Sequence, residues 1–239
     1  MHKMSLEMAE KAAEKAEGYL SLPEGRLLYK LARNHNVGGA IVEVGSWKGK
    51  STIWLAYGSK AGKKGKVFAI DPHTGSPEMP KGNSLKEFSQ NIKKAGVADL
   101  VKPIVKTSEQ AAALFKGEVG LVFIDGRHEY SFAKQDFELW FPKVKQHGVM
   151  VFHDTNLAVG PKKVVKENVF DSKNFRNIGF LDSITFAEKV KQNSFFDRLQ
   201  NRKVWLLKQF FTLASKLNLK IALPKPIKAV GKKLIELMQ

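Results

Sequence analysis

The sequence predicts an α/β protein built on a doubly wound parallel sheet, and three observations lead to that reading. Apolar, strand-like runs alternate with amphipathic stretches over residues 40–152, the βαβαβ pattern that right-handed crossovers convert into a parallel sheet. Four of the runs end in polar residues: Glu43, Asp71, Asp125 and the pair His153-Asp154. Two glycines four apart, Gly45 and Gly49, make a tight turn between the first run and the helix after it. In an open parallel sheet the ligand lies beyond the carboxyl ends of the strands, so this pattern lines the polar residues along one binding edge. The chain divides into N-terminal helices (1–38), an α/β domain (39–190) and a basic amphipathic helical extension (191–239).

Residues 3–20 place Met4, Met8, Ala12, Ala16 and Leu20 on one helical face, and Pro23-Glu24-Gly25 reads as the break after it. Arg26 to Arg33 forms a second short helix. The first strand is Ala40 to Val44, followed by a helix from Ser51. Lys66 to Asp71 is the second strand, and the turn-rich segment Pro72 to Gly82 after it is expected at the mouth of the site. Ser84 to Lys94 is a helix closed by Ala95-Gly96, and Val101 to Val105 is the third strand. Ser108 is expected to cap the helix Glu109–Phe115, with contact to a bound ligand as its second possible role. The fourth strand runs from Glu118 or Val119 to Ile124, a helix spans Glu129 to Lys145, and the fifth strand covers Gly148 to Phe152. Lys162 to Phe170 is a short helix, and Phe175–Leu181 with Ser183–Ala187 form a terminal hairpin.

Three ligands compete for the glycine turn Glu43-Val-Gly45-Ser-Trp47-Lys-Gly49-Lys-Ser51. A dinucleotide needs G-x-G-x-x-G, and Trp47 stands where the second glycine should be. A phosphate loop needs G-x-x-x-x-G-K-[ST], and Gly45 is one residue too close to Gly49-Lys50-Ser51. A degenerate phosphate loop binding a nucleotide is kept as an alternative. The third ligand carries no phosphate and needs one glycine turn together with an acid at the tip of the second strand. Asp71 supplies that acid, 26 positions after Gly45, and a carboxylate there accepts both hydroxyls of a ribose.

Composition bounds the rest. The 239 residues are 43% hydrophobic, enough for a packed core and far from a disordered composition. No apolar run approaches the roughly 20 residues of a spanning helix. The absence of cysteine excludes disulfides, thiolate metal sites and a thiol nucleophile. With a charged N-terminus that lacks an apolar centre, it points to the cytoplasm.

Residues from about 24 to 190 resemble the class I S-adenosylmethionine-dependent methyltransferases, most closely the branch of macrocin-type sugar O-methyltransferases and the cephalosporin hydroxylase family. The resemblance rests on Leu28 to Ala32, Val42-Glu43-Val-Gly45-Ser-Trp-Lys-Gly49-Lys-Ser51-Thr52, Ile124-Asp125-Gly-Arg-His128-Glu-Tyr130, Asp136-Phe-Glu-Leu-Trp140 and Gly148-Val-Met-Val-Phe-His153-Asp154. It implies a Rossmann-like sheet of seven strands, mostly parallel with an antiparallel last strand. It also implies S-adenosylmethionine held by Glu43, Gly45, Ser46, Trp47, Gly49 and Ser51, with Asp71 on the ribose and Ser108 and Asp125 as further cofactor contacts.

Methyl transfer from a sulfonium to an alcohol is an in-line displacement, so the acceptor oxygen must be aligned and its proton removed. His128 is the candidate base, three residues past Asp125, because an imidazole titrates near ~6.5. A divalent cation that polarises the hydroxyl is the other route, with Asp125, His153 and Asp154 as candidate ligands for Mg2+ or another divalent cation. His153 and Thr155 stand where related metal-dependent enzymes often carry an acid or amide.

The formal net charge is +17, and residues 191–239 hold 11 Lys or Arg against Asp197 and Glu236. Phe195, Phe196, Leu199, Trp205, Leu206, Phe210, Phe211 and Leu213 mix with Arg198, Arg202, Lys203 and Lys208. Leu223-Pro-Lys-Pro226 interrupts this pattern, and Ile227 to Leu237 resumes it. A basic amphipathic helix reads as a surface for anionic membrane or for a partner, including a second copy of the chain. Nucleic acid is disfavoured because no RNA-binding module is recognisable. The expected acceptor is a small molecule, a sugar or lipid-linked glycan among the candidates. The alternative outside enzymology is a membrane- or partner-binding module on a methyltransferase-like fold.

Overall fold

The computed structural model describes residues 2–75, 82–156 and 158–221. Part of the turn-rich segment after Asp71 and the expected helix from Ile227 to Leu237 lie outside them.

Two helices, α1 (His2–Glu14) and α2 (Leu22–Asn34), precede the sheet. The Pro-Glu-Gly stretch read as a break is the first turn of α2. Ser21 and Glu24 form a capping box there: the Ser21 hydroxyl accepts the Glu24 N–H at 3.4 Å, and the Glu24 carboxylate accepts the Ser21 N–H at 2.9 Å. Pro23 is tolerated because the first helical N–H groups have no partner within the helix.

The seven strands are β1 (Ala40–Val44), β2 (Val67–Ile70), β3 (Val101–Ile104), β4 (Val119–Ile124), β5 (Val144–Phe152), β6 (Phe175–Leu181) and β7 (Ile184–Lys189). Their order across the sheet is β3-β2-β1-β4-β5-β7-β6. β1 to β5 are mutually parallel, and β7 runs antiparallel to both β5 and β6. The connections are α3 (Lys50–Gly62), α4 (Leu85–Lys94), α5 (Ser108–Leu114), α6 (Tyr130–Trp140) and α7 (Val159–Val165). α8 (Phe195–Ile221) closes the described chain. Among the described residues no helix is long and apolar enough to cross a membrane.

Alternating strand residues feed two cores. Ile41, Leu121 and Phe123 pack with α1 to α4 through Ala9, Leu28, Ile53, Leu55 and Phe88. Val42, Val122 and Met150 pack with Phe137, Trp140, Val164 and Val204 on the opposite face. A parallel sheet covered on both faces accounts for strands without polar alternation.

Several boundaries move from their sequence positions: the first helix, expected to reach Leu20, ends at Glu14, and the last strand runs from Ile184 to Lys189. The helix after Asp125 ends at Trp140, and Phe141–Lys143 forms a 3-10 turn because Pro142 cannot donate the next helical hydrogen bond. β5 therefore starts at Val144, four residues before Gly148. The helix expected over Lys162–Phe170 starts at Val159 and passes into a π-helical turn at Lys166–Phe170.

Candidate active site

Register aligns the strand ends. Val44 lies opposite Ile70 on one side and Ile124 on the other, and Ile124 lies opposite Phe152. The next residues, Gly45, Asp71, Asp125 and His153, therefore stand in a row along the carboxyl edge of β2-β1-β4-β5. The strand order reverses between β1 and β4, the crevice where open α/β sheets take ligands.

In the turn after β1, Gly45 has φ +88°, and a Cβ there would lie 2.0 Å from the Asp125 carbonyl oxygen. Its small size thus serves first the close approach of β1 to the end of β4. Gly49 caps α3 in the left-handed region, and a Cβ there would meet Phe88 at 3.1 Å. Between them Trp47 has φ 39° and stacks on Tyr19 with ring centroids 5.7 Å apart. Its N–H donates to Asp71 Oδ2 at 2.8 Å, and the His73 N–H donates to Asp71 Oδ1 at 2.6 Å. Two backbone amides therefore orient the acid at the tip of β2.

Glu43, one residue inside β1, is fully buried and accepts from Thr52 Oγ1 at 2.5 Å. Burial pushes its carboxyl up to about 8; the Ser51 and Thr52 hydroxyls offset part of that, and the nearby charges of Asp125 and Asp71 add to it. Its other oxygen and the Ser46 hydroxyl are buried without a hydrogen-bond partner among the described residues.

Beyond β4 and β5 lies a charged cluster. His153 Nδ1 is 3.2 Å from Asp125 Oδ1 and 3.1 Å from Asp154 Oδ2. Its Nε2 faces Glu24 Oε2 at 3.7 Å. Burial opposes a proton on this ring, but Asp125, Asp154 and Glu24 together raise its pKa far above the usual imidazole range. Burial likewise opposes ionisation of Asp154, yet hydrogen bonds from His128 and His153 hold its carboxyl well below the usual range. His128 Nε2 lies 3.1 Å from Asp154 Oδ2.

A polar network backs the cluster. Glu24 Oε1 accepts from the Ser183 N–H at 2.9 Å and from its hydroxyl at 2.6 Å. Thr155 donates to the Ser183 carbonyl at 2.6 Å. Lys208 from α8 is buried and donates to Thr155 Oγ1 at 2.9 Å and to Asn156. Burial, with some repulsion from Lys162, pulls this amine down to about 7.

The structure thus brings the expected residues together in two groups. Glu43, Gly45, Ser46, Trp47, Gly49, Ser51 and Asp71 surround the turn after β1, and Asp125, His128, His153 and Asp154 form the cluster beside it. Two expectations change. His153 Nδ1 is engaged by both carboxylates, at 3.2 Å from Asp125 and 3.1 Å from Asp154, and is not part of the three-residue convergence. Asp125, His128 and Asp154 instead offer one ligand atom each, all within 4.8 Å of one another. Ser108 does not cap α5: Thr107 does, accepting the Gln110 N–H at 3.3 Å. The Ser108 hydroxyl accepts from Trp140 Nε1 at 3.0 Å. Glu24 was missed as a site residue, and the Ser21-x-x-Glu24 spacing marks only its cap role, not its reach to His153.

Residues 42–155 match the family model of a methyltransferase domain. The catechol O-methyltransferase of Mycobacterium tuberculosis is 30% identical over 158 residues, covering 64% of this chain. The chain spans 63% of that relative's length. The O-methyltransferase TomG from Streptomyces achromogenes, involved in tomaymycin synthesis and solved in complex with SAM, superimposes with a TM-score of 0.56 at 20% identity, over 78% of this chain and 89% of that one. An O-methyltransferase from Bacillus cereus in complex with SAH gives 0.55 at 19% identity, over 78% of this chain and 91% of that one. In its strand order, its acid-tipped parallel strands and its matched segment, this chain is similar to the class I S-adenosylmethionine-dependent methyltransferases.

Proposed function

We propose that the chain is an S-adenosylmethionine-dependent O-methyltransferase that methylates a hydroxyl of a small-molecule acceptor. One observation carries this reading: the amide-oriented Asp71 and the His128–Asp154 pair stand on the same sheet edge, on either side of the β1/β4 crevice. Sugar and phenolic hydroxyls are the two acceptor classes, the first from the sugar O-methyltransferase resemblance and the second from the catechol O-methyltransferase relative.

The residues fit the cofactor. Asp71, oriented by the Trp47 and His73 amides, accepts the ribose hydroxyls. The Ser46 hydroxyl and one Glu43 oxygen, buried at the end of β1 and without a hydrogen-bond partner among the described residues, offer polar partners to the rest of the molecule. When bound, the cofactor supplies an electrophilic methyl group for in-line displacement. His128 takes the acceptor proton, and Asp154 stabilises the imidazolium that forms. His153 balances the charge of Asp125 and Asp154 and keeps both aimed at the edge.

A second reading uses a divalent cation. It is favoured by the convergence of Asp125, His128 and Asp154, which would hold it, and it would polarise the acceptor hydroxyl. His128 is then a ligand rather than the base. Methyl transfer to sugar and catechol acceptors, assayed before and after chelation, separates the readings: full activity in stripped enzyme eliminates the cation. Failure of S-adenosylhomocysteine to bind in calorimetry overturns the whole proposal.

A further inference from the structure

The helix α8 is apolar on two opposite faces. Its inner face carries Val204 and Lys208 into the domain, with Trp205 against Phe170 at 5.0 Å and Phe211 against Phe180 at 5.9 Å. That packing fixes which side points outward. There Leu199, Leu206, Phe210, Leu213 and Leu217 recur at helical spacing, with Leu206 67% and Phe210 62% exposed. Phe195 and Phe196 extend the stripe at its N-terminal end, 67% and 79% exposed. Single exposed apolar residues are ordinary, but a continuous row along a helix marks a surface that binds something.

The charges decide what it binds. Arg202 and Lys203 are exposed and fill the gap in the row between Leu199 and Leu206. The only acid between residues 195 and 221 is Asp197, and Ser194 occupies it at the N-terminal end of α8. A second copy related by a two-fold axis would set this basic stripe against its own image, in a chain whose net charge is already +17. An acidic lipid surface satisfies both features, since aromatic and leucine side chains enter the boundary between headgroups and acyl chains while cations meet the phosphates.

We infer that the outer face of α8 seats on an anionic lipid surface, with Leu206, Phe210 and Leu213 inserted and Arg202 and Lys203 on the headgroups. The inference stands on α8 alone and is independent of methyl transfer. Its test is flotation of the full chain with phosphatidylcholine vesicles, with and without phosphatidylserine. The chain is expected to float with the anionic vesicles only, and less as salt rises. The double variant Arg202→Gln/Lys203→Gln should bind roughly fivefold more weakly for each cation removed. Leu206→Ser/Phe210→Ser should remain at the bottom while keeping the wild-type melting temperature, because both side chains are exposed. Leu213→Ser repeats the measurement should that pair disturb folding. Equal flotation of wild type and the apolar variants overturns the inference. So does absence of binding to the anionic vesicles, and a dimer or oligonucleotide binding that Leu206→Ser/Phe210→Ser abolishes would then name the occupant of this face instead.

Discussion

Glu24, from a helix that precedes the sheet, faces His153 at the end of β5, its Oε2 3.7 Å from Nε2. Both side chains are buried, and the same glutamate caps α2 and holds the β6–β7 turn through Ser183. Breaking a buried charge pair by removing one partner costs about 3–5 kcal/mol, so Glu24→Gln should destabilise the fold by that order. Burial pushes the Glu24 carboxyl up, but the His153 ring 3.7 Å away and the hydrogen bonds from Ser183 win and bring it from 4.5 to about 2. A depressed carboxylate contributes stability above its unfolded value and loses it as the pH falls through the folded one. Urea unfolding should therefore show the difference between wild type and Glu24→Gln shrinking as pH falls from 4.5 toward 2. A constant difference across that window would contradict the pairing.

Asp71→Ala should weaken S-adenosylhomocysteine binding by about 10- to 150-fold, the value of one or two charge-assisted hydrogen bonds. It also frees the Trp47 and His73 amides. Calorimetry with the variant checks this, and unchanged affinity would remove Asp71 from the pocket. Gly45→Val is the less selective probe, since its side chain would strike the Asp125 backbone before meeting any ligand.

His128→Gln should lower kcat by roughly 10²–10⁴-fold, the usual weight of a general base, while S-adenosylhomocysteine affinity stays as in wild type. The rise of kcat with pH that a neutral imidazole imposes should vanish with it. Retention of the wild-type pH profile in the variant would assign the proton to another group.

Glu43 supplies a prediction of opposite sign to Glu24. Its carboxyl is raised from 4.5 to about 8, chiefly by burial. A raised group contributes fully below its unfolded value and loses that contribution as pH rises through the folded one. Wild type should therefore lose stability between pH 4.5 and about 8 relative to Glu43→Gln, which has no charge to bury. Melting temperatures of the two proteins over this range check it, and parallel curves would show that Glu43 ionises freely.

Much of this arrangement was legible in the chain. Short apolar runs ending in Glu43, Asp71, Asp125 and His153-Asp154 announced the sheet and its working edge, because strand period and terminal polarity are local properties. Helix ends were legible where one residue enforces them, as at Ala95-Gly96, and misread where two residues cooperate. Ser21 with Glu24 made a helix start out of an apparent break, and Thr107 with Gln110 took the capping role expected of Ser108.

The sequence by itself determined the α/β class, the acids at the strand tips and the basic, apolar character of the C-terminal segment, since each follows from residues near one another in the chain. Only the tertiary structure decided that His153 packs between Asp125 and Asp154, that Glu24 reaches it from α2, and which face of α8 stays outside. Those outcomes depend on which charges share a dry interior and which helix face the sheet covers. Such quantities are set by packing between separate elements, as between Glu24 and His153 or Phe180 and Phe211, and no local pattern encodes them.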